Sequence, residues 1–287
     1  MKEEQRTMDS TSKQDVPENQ AQAEVEQQGD KSEPIALGDS AVNVPNATLD
    51  SQSQIESPMP PSIIATLFWA IVLYLVPNVV VGFGFNVYAD VANIDDAGRW
   101  FGKIETLLLM TFTVFFVMGP LLFWLTKALE KTTPLKVYLN VTSHSTADII
   151  KCVGLTAVFW FLLSELAILL NVPEEPFLEQ VKLADLPVWF ICLNICILAP
   201  IFEELVFRGF LYKRFASTKL SVIGAALLTS ALFAVVHGQY SLTGVAMVFI
   251  LGLYFMWIRI KYNSTTQAMV AHATSNTMTM IAVYWFY

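Results

Sequence analysis

The run "APIFEELVFRGFLYKRF", residues 199–215, reads as the middle of a membrane helix except for two adjacent glutamates and an arginine. An ionisable side chain at the centre of a bilayer costs about 3 kcal/mol or more, so such groups face a bundle interior and mark function. On a helix Glu204 and Arg208 stand four apart, on one face and in the order that favours an ion pair. That pair neutralises itself. Glu203 is turned away from Glu204 by about 100° and needs a different partner.

Working outward, the flanking sequence is a series of apolar runs. Apolar residues make up 54% of the 287. Seven stretches are long and apolar enough to predict membrane spans, near 62–88, 104–126, 149–170, 187–213, 220–237, 243–260 and 265–286. The predicted fold is all-α: a polytopic transmembrane helical bundle of about seven spans in a domain covering 62–287, embedded in a lipid bilayer. No repeat, phosphate loop or basic aromatic surface is visible, and a nucleic-acid partner is excluded. The net charge of -8 belongs to residues 1–61, which hold 4 Lys/Arg and 12 Asp/Glu, giving 4 - 12 = -8. This tail, without aromatic residues and rich in Gln, Glu, Ser and Pro, is predicted to be disordered. It lacks the pattern of a cleaved signal peptide.

Lys and Arg collect on the cytoplasmic side of membrane spans. The ends sharing the tail's side carry Lys127, Lys131, Lys136, Lys151, Lys213, Arg214, Lys219, Arg259 and Lys261, against Arg99, Lys103 and Lys182 on the other. Nine against three predicts a cytoplasmic N-terminus, in a cell membrane of bacterial inner-membrane type. The acidic loop 171–186 then faces out and reads as a solvated surface. The sequons at Asn46, Asn140 and Asn263 fall inside and carry no function. Cys152, Cys192 and Cys196 lie in apolar spans and read as small buried residues.

Two of the three histidines also fall in spans. His237 ends "FAVVH", with Phe233 one turn before it, and His272 opens "HATSN", with Asn276 one turn after it. His144, in a polar loop, reads as an exposed side chain. At 1.5 Å per residue, Glu203 and His272 lie roughly 12–15 Å from the inside face, while His237 falls about 10 Å too far out for straight helices. A kink at Pro200 and helix tilt are expected to close that gap. The site is expected to open to the inside face. Glu165, near an outer span end, reads as snorkelling to water.

"EELVFR", "FAVVH" and "HATSN", in that order on late spans, resemble the CPBP family of intramembrane proteases, related to type II CAAX-prenyl endopeptidases and to bacteriocin-immunity proteins. The resemblance covers about residues 150–287. It implies catalytic roles for Glu203, His237, His272 and Asn276, with Glu204, Arg208 and Phe233 in support. In one scheme Glu203 is a general base whose water is shared with His237, and His272 and Asn276 stabilise the oxyanion. In the other, Glu203, His237 and His272 hold a divalent metal, zinc by ligand type. The absence of HExxH favours the first, without a cofactor. The expected partner is a membrane-anchored peptide or protein, whether or not it is prenylated. The competing class is a non-enzymatic protein, a transporter or immunity factor whose Glu and His relay protons or bind an ion.

Overall fold

The computed structural model describes residues 61–285. The acidic tail, except Pro61, and the Asn46 sequon lie outside the described residues. Among those residues the secondary structure is entirely helical: α1 (Ile63–Val91), α2 (Ala97–Phe101), α3 (Ile104–Leu129), α4 (Leu135–Tyr138), α5 (Thr146–Leu169), α6 (Pro176–Leu183), α7 (188–216), α8 (Ser221–Val235), α9 (Leu242–Lys261) and α10 (Thr265–Trp285). Ser62, Ser145 and Ser241 cap α1, α5 and α9 by accepting from backbone N–H groups of the first turn, which satisfies donors that lipid would leave orphaned.

A helix stands at each of the seven expected positions, but only α1, α3, α5, α7 and α9 are both long and apolar enough to cross a membrane. Helix α8 has 15 residues. Helix α10 has the length, yet carries Gln267, His272 and Ser275, all buried. Its polar side chains face protein instead of lipid, so its hydropathy understates its place in the bundle. The outer helices show the reverse pattern: α1 and α5 expose Ile64, Phe68, Phe83, Ile150, Phe161 and Leu162, the surface expected against acyl chains.

Helix α7 is the central element, packed against α3, α8 and α10, while α1 pairs with α3, α5 with α10 and α8 with α9. It is not a uniform helix. π-helical turns at Leu193–Leu198 and Leu205–Leu211 flank the α-helical turn Ala199–Glu204. In the first π-turn the Ala199 N–H reaches back five residues to the Asn194 carbonyl. By the same spacing the Ile195 carbonyl would look to residue 200, which is proline and has no N–H. Asn276 Nδ2, from α10, donates to the Ile195 carbonyl at 2.9 Å instead. The predicted disturbance at Pro200 is therefore a change of helical pitch, sealed by a side chain from another helix. On the other flank Phe202 stacks on Phe115 at 5.2 Å and lies so close to Gly119 that a Cβ there would come within 2.8 Å of its ring.

Two loop regions differ from expectation. Glu175 is not part of a solvated surface: its carboxylate accepts from the Ser241 N–H (3.0 Å) and Ser241 hydroxyl (2.5 Å), tying the 171–186 segment to the start of α9. A carboxylate there complements the α9 N-terminus. At the opposite end His144 is partly buried, its Nε2 lying 2.8 Å from the Thr142 hydroxyl and 2.7 Å from that of Ser264. Asn140 Nδ2 donates to the Asn263 carbonyl and side chain. These contacts join the segment before α5 to the α9–α10 turn, and polarity of sequence alone could not reveal them.

Candidate active site

The site is built where α7, α8 and α10 meet. Arg208 is fully buried; it donates from Nη1 to Glu204 Oε1 at 2.8 Å and from Nη2 to the Gly252 carbonyl at 2.9 Å. Its guanidinium lies over the Phe233 ring, 4.4 Å from the centroid. The expected Glu204–Arg208 ion pair is thus present, and it is completely desolvated. Glu204 Oε1 also accepts from His272 Nδ1 at 3.0 Å. The second glutamate therefore does more than neutralise arginine. It fixes the imidazole's orientation, as a carboxylate behind a histidine does in many sites. His272 is held further by stacking on Phe255 at 4.6 Å and by the edge of Phe233 at 5.6 Å.

His237 sits in the turn after α8, and its Nδ1 donates to the Phe233 carbonyl at 2.7 Å. A carbonyl only accepts, so in the neutral ring Nε2 carries the lone pair. With both Nδ1 atoms engaged, both Nε2 atoms point to one carboxylate oxygen: Glu203 Oε2 lies 3.8 Å from His237 Nε2 and 3.9 Å from His272 Nε2. That oxygen has no hydrogen-bond partner among the described protein groups. Because Glu204 and Arg208 already balance each other, Glu203 is not required for charge neutrality.

The structure brings Glu203, Glu204, Arg208, Phe233, His237 and His272 together. Asn276 lies one turn after His272 on the same helix, and one of its amide hydrogens is committed to the Ile195 carbonyl, leaving the other N–H without a partner among the described residues. Sequence reasoning missed the Glu204–His272 bond, Phe255, Gly252 and Tyr240. Tyr240 lies 6.1 Å from the His237 ring and packs against Phe177 of α6. Helical spacing within one element signals Glu204–Arg208; nothing local signals contacts across elements.

His237 lies in the turn just past the end of α8, and its Nε2 comes within 3.8 Å of Glu203 Oε2. That turn runs into Tyr240 and Ser241 and belongs to the end of the bundle held by Glu175, not to the Lys/Arg-rich end.

For a zinc ion at about 2.0–2.1 Å from each donor, tetrahedral geometry puts ligand atoms about 3.3–3.4 Å apart. The 3.8 and 3.9 Å separations are wider, and no group of three His, Cys, Asp or Glu side chains among the described residues is arranged to hold a metal. The residues as placed do not fit zinc.

These features define a class: a multi-pass helical membrane protein with a Glu–His constellation buried inside its bundle. Residues 185–278 match the family model described as "Type II CAAX prenyl endopeptidase Rce1-like". The chain is also similar to an uncharacterized 24.3 kDa protein of Escherichia coli, 34% identical over 134 residues, which are 45% of this chain and 61% of that protein. No solved structure matches.

Proposed function

We propose that the chain is an intramembrane endopeptidase that cleaves membrane-tethered peptides by a glutamate-activated water. The observation that carries this reading is the approach of two imidazole Nε2 atoms, His237 from the turn after α8 and His272 from α10, to one carboxylate oxygen of Glu203 on α7, at 3.8 and 3.9 Å. Separations of this size suit a water that donates one proton to Glu203 and the other to His237 Nε2. The water oxygen attacks the scissile carbonyl as Glu203 takes its proton. The oxyanion receives hydrogen bonds from His272 Nε2 and from the free N–H of Asn276, with Glu204 balancing the charge of a His272 imidazolium. When the C–N bond breaks, the proton on Glu203 passes to the leaving amine. The products are a new carboxyl terminus and an amine. The match of residues 185–278 to the Rce1-like family model supports peptide hydrolysis and makes CAAX-type substrates the first to try.

The test is cleavage of a quenched prenyl-peptide and a panel of membrane-anchored peptides by the purified chain, wild type against Glu203→Gln. Cleavage by wild type, unchanged by a strong chelator and lost in the variant, supports the proposal. Ion flux across vesicles that depends on Glu203, without cleavage of any peptide, overturns it in favour of a transporter.

A further inference from the structure

A second polar feature lies away from the Glu–His cluster, where three membrane-crossing helices end at one level. Pro61 precedes α1, Leu129 and Glu130 close α3, and Lys213 and Arg214 close α7; together with Tyr138 of α4 they line a cavity of about 130 Å³. Its cations are held in place. Lys213 Nζ donates to the Tyr138 carbonyl at 3.3 Å and lies 4.1 Å from the centre of the Tyr138 ring. Arg214 is only 9% exposed, packs its guanidinium 5.5 Å from the Phe210 ring, and leaves its buried Nε without a hydrogen-bond partner. A buried guanidinium nitrogen lacking an acceptor is costly, and an acceptor-rich anion relieves that cost.

One carboxylate also lines the cavity. Glu130 accepts from the Thr132 and Thr133 hydroxyls and from the Thr133 N–H, so its Oε1 is turned into the 131–134 segment. The cavity keeps a net positive charge of one, from two cations and one anion. Its level, at the ends of three apolar spans, is that of lipid headgroups, and Lys127 and Lys131 add positive charge to the same end.

We propose that this cavity binds the phosphate of an acidic phospholipid, with Arg214 and Lys213 as its ligands and the acyl chains lying along α1 and α3. The phosphate diester supplies acceptor oxygens to Arg214 Nε and Lys213 Nζ, and basic pockets between membrane helices are suited to such headgroups. The site is independent of peptide hydrolysis.

The test is native mass spectrometry of the full chain carried in detergent with phosphatidylglycerol or phosphatidylcholine. Wild type is expected to retain phosphatidylglycerol preferentially. Lys213→Gln and Arg214→Gln are each expected to weaken retention about fivefold, while Lys136→Gln on the exposed face leaves it unchanged. Arg214→Lys keeps the charge and restores part of the binding should Arg214→Gln lose its fold. Equal retention of the two lipids, or retention unaffected in Lys213→Gln and in both Arg214 variants, overturns the proposal. Displacement of phosphatidylglycerol by millimolar inorganic phosphate assigns the site to free phosphate and overturns the lipid as its source.

Discussion

Glu203 and Glu204 are neighbours of identical chemistry in opposite situations. Glu204 is 0% exposed and its Oε1 accepts from both Arg208 and His272, whereas the Glu203 side chain is 21% exposed and its Oε2 has no donor. The contrast predicts opposite phenotypes. Glu203→Gln removes the proposed base and is expected to lower cleavage by roughly 10²–10⁴-fold, while the melting temperature stays the same or rises. A large loss of stability with residual cleavage per folded molecule would instead make Glu203 structural. Arg208→Ala strands the fully buried Glu204 carboxylate and is expected to cost about 3–5 kcal/mol in reversible unfolding. Glu204→Gln keeps a hydrogen-bond acceptor for His272 but deletes the charge behind the imidazole. Its expected mark is a fall in kcat with KM little changed, because an imidazolium that donates to the oxyanion is needed only in the transition state.

At the scale of elements, what was legible follows from periodicity within one helix, and what was not follows from contacts between helices. The positions of the seven expected helices, the Glu204–Arg208 pair and the separation of Glu203 from it all come from spacing along the chain. The two π-turns of α7 do not, because five-residue hydrogen bonding leaves no compositional trace apart from Pro200, which announces only that a regular α-helix cannot continue. The approach of His237 to Glu203 was illegible for a related reason: α8 stops at Val235, only about 3 Å short of His237, so the 3.8 Å contact comes from how the helices are placed against one another, which spacing along one helix does not carry. Asn276 is the clearest link between the two kinds of information. Its bond to the Ile195 carbonyl replaces the donor that Pro200 cannot supply. Asn276→Ala is therefore expected to destabilise the fold by about 1–3 kcal/mol, and Pro200→Ala in that background to recover part of this by restoring a backbone N–H. Recovery of stability without recovery of cleavage would separate the role of Asn276 in holding α7 from its proposed role at the oxyanion. Full additivity of the two substitutions in a double-mutant cycle would show that Pro200 and Asn276 are unrelated.

At the scale of the whole molecule, the asymmetry of charge and the position of the site pull on the substrate question together. The Lys/Arg-rich end holds the Asn140–Asn263 and His144–Ser264 contacts, which fasten the chain before α5 to the α9–α10 turn. The other end holds the His237 turn, the Tyr240–Phe177 contact and the Glu175 tie to Ser241. If Lys and Arg mark the cytoplasm, the His237 turn beside Glu203 lies on the side away from it, at the end to which the 171–186 segment is tied. A cytoplasmic prenylated peptide would then have to enter through the bilayer, between helices. Cysteine labelling tests this: Gly238→Cys, next to His237 and exposed, is expected to react with a membrane-impermeant maleimide in intact cells, as Glu174→Cys does. Lys136→Cys, on the charged end, is expected to react only after permeabilisation. Labelling of position 238 together with position 136 would place the approach on the Lys/Arg side and reverse the argument. Weakening the Glu175 tie gives an independent reading of the same geometry. Glu175→Gln removes the charge that binds the start of α9, and faster labelling at position 238 in that variant is expected if the 171–186 segment covers the His237 turn.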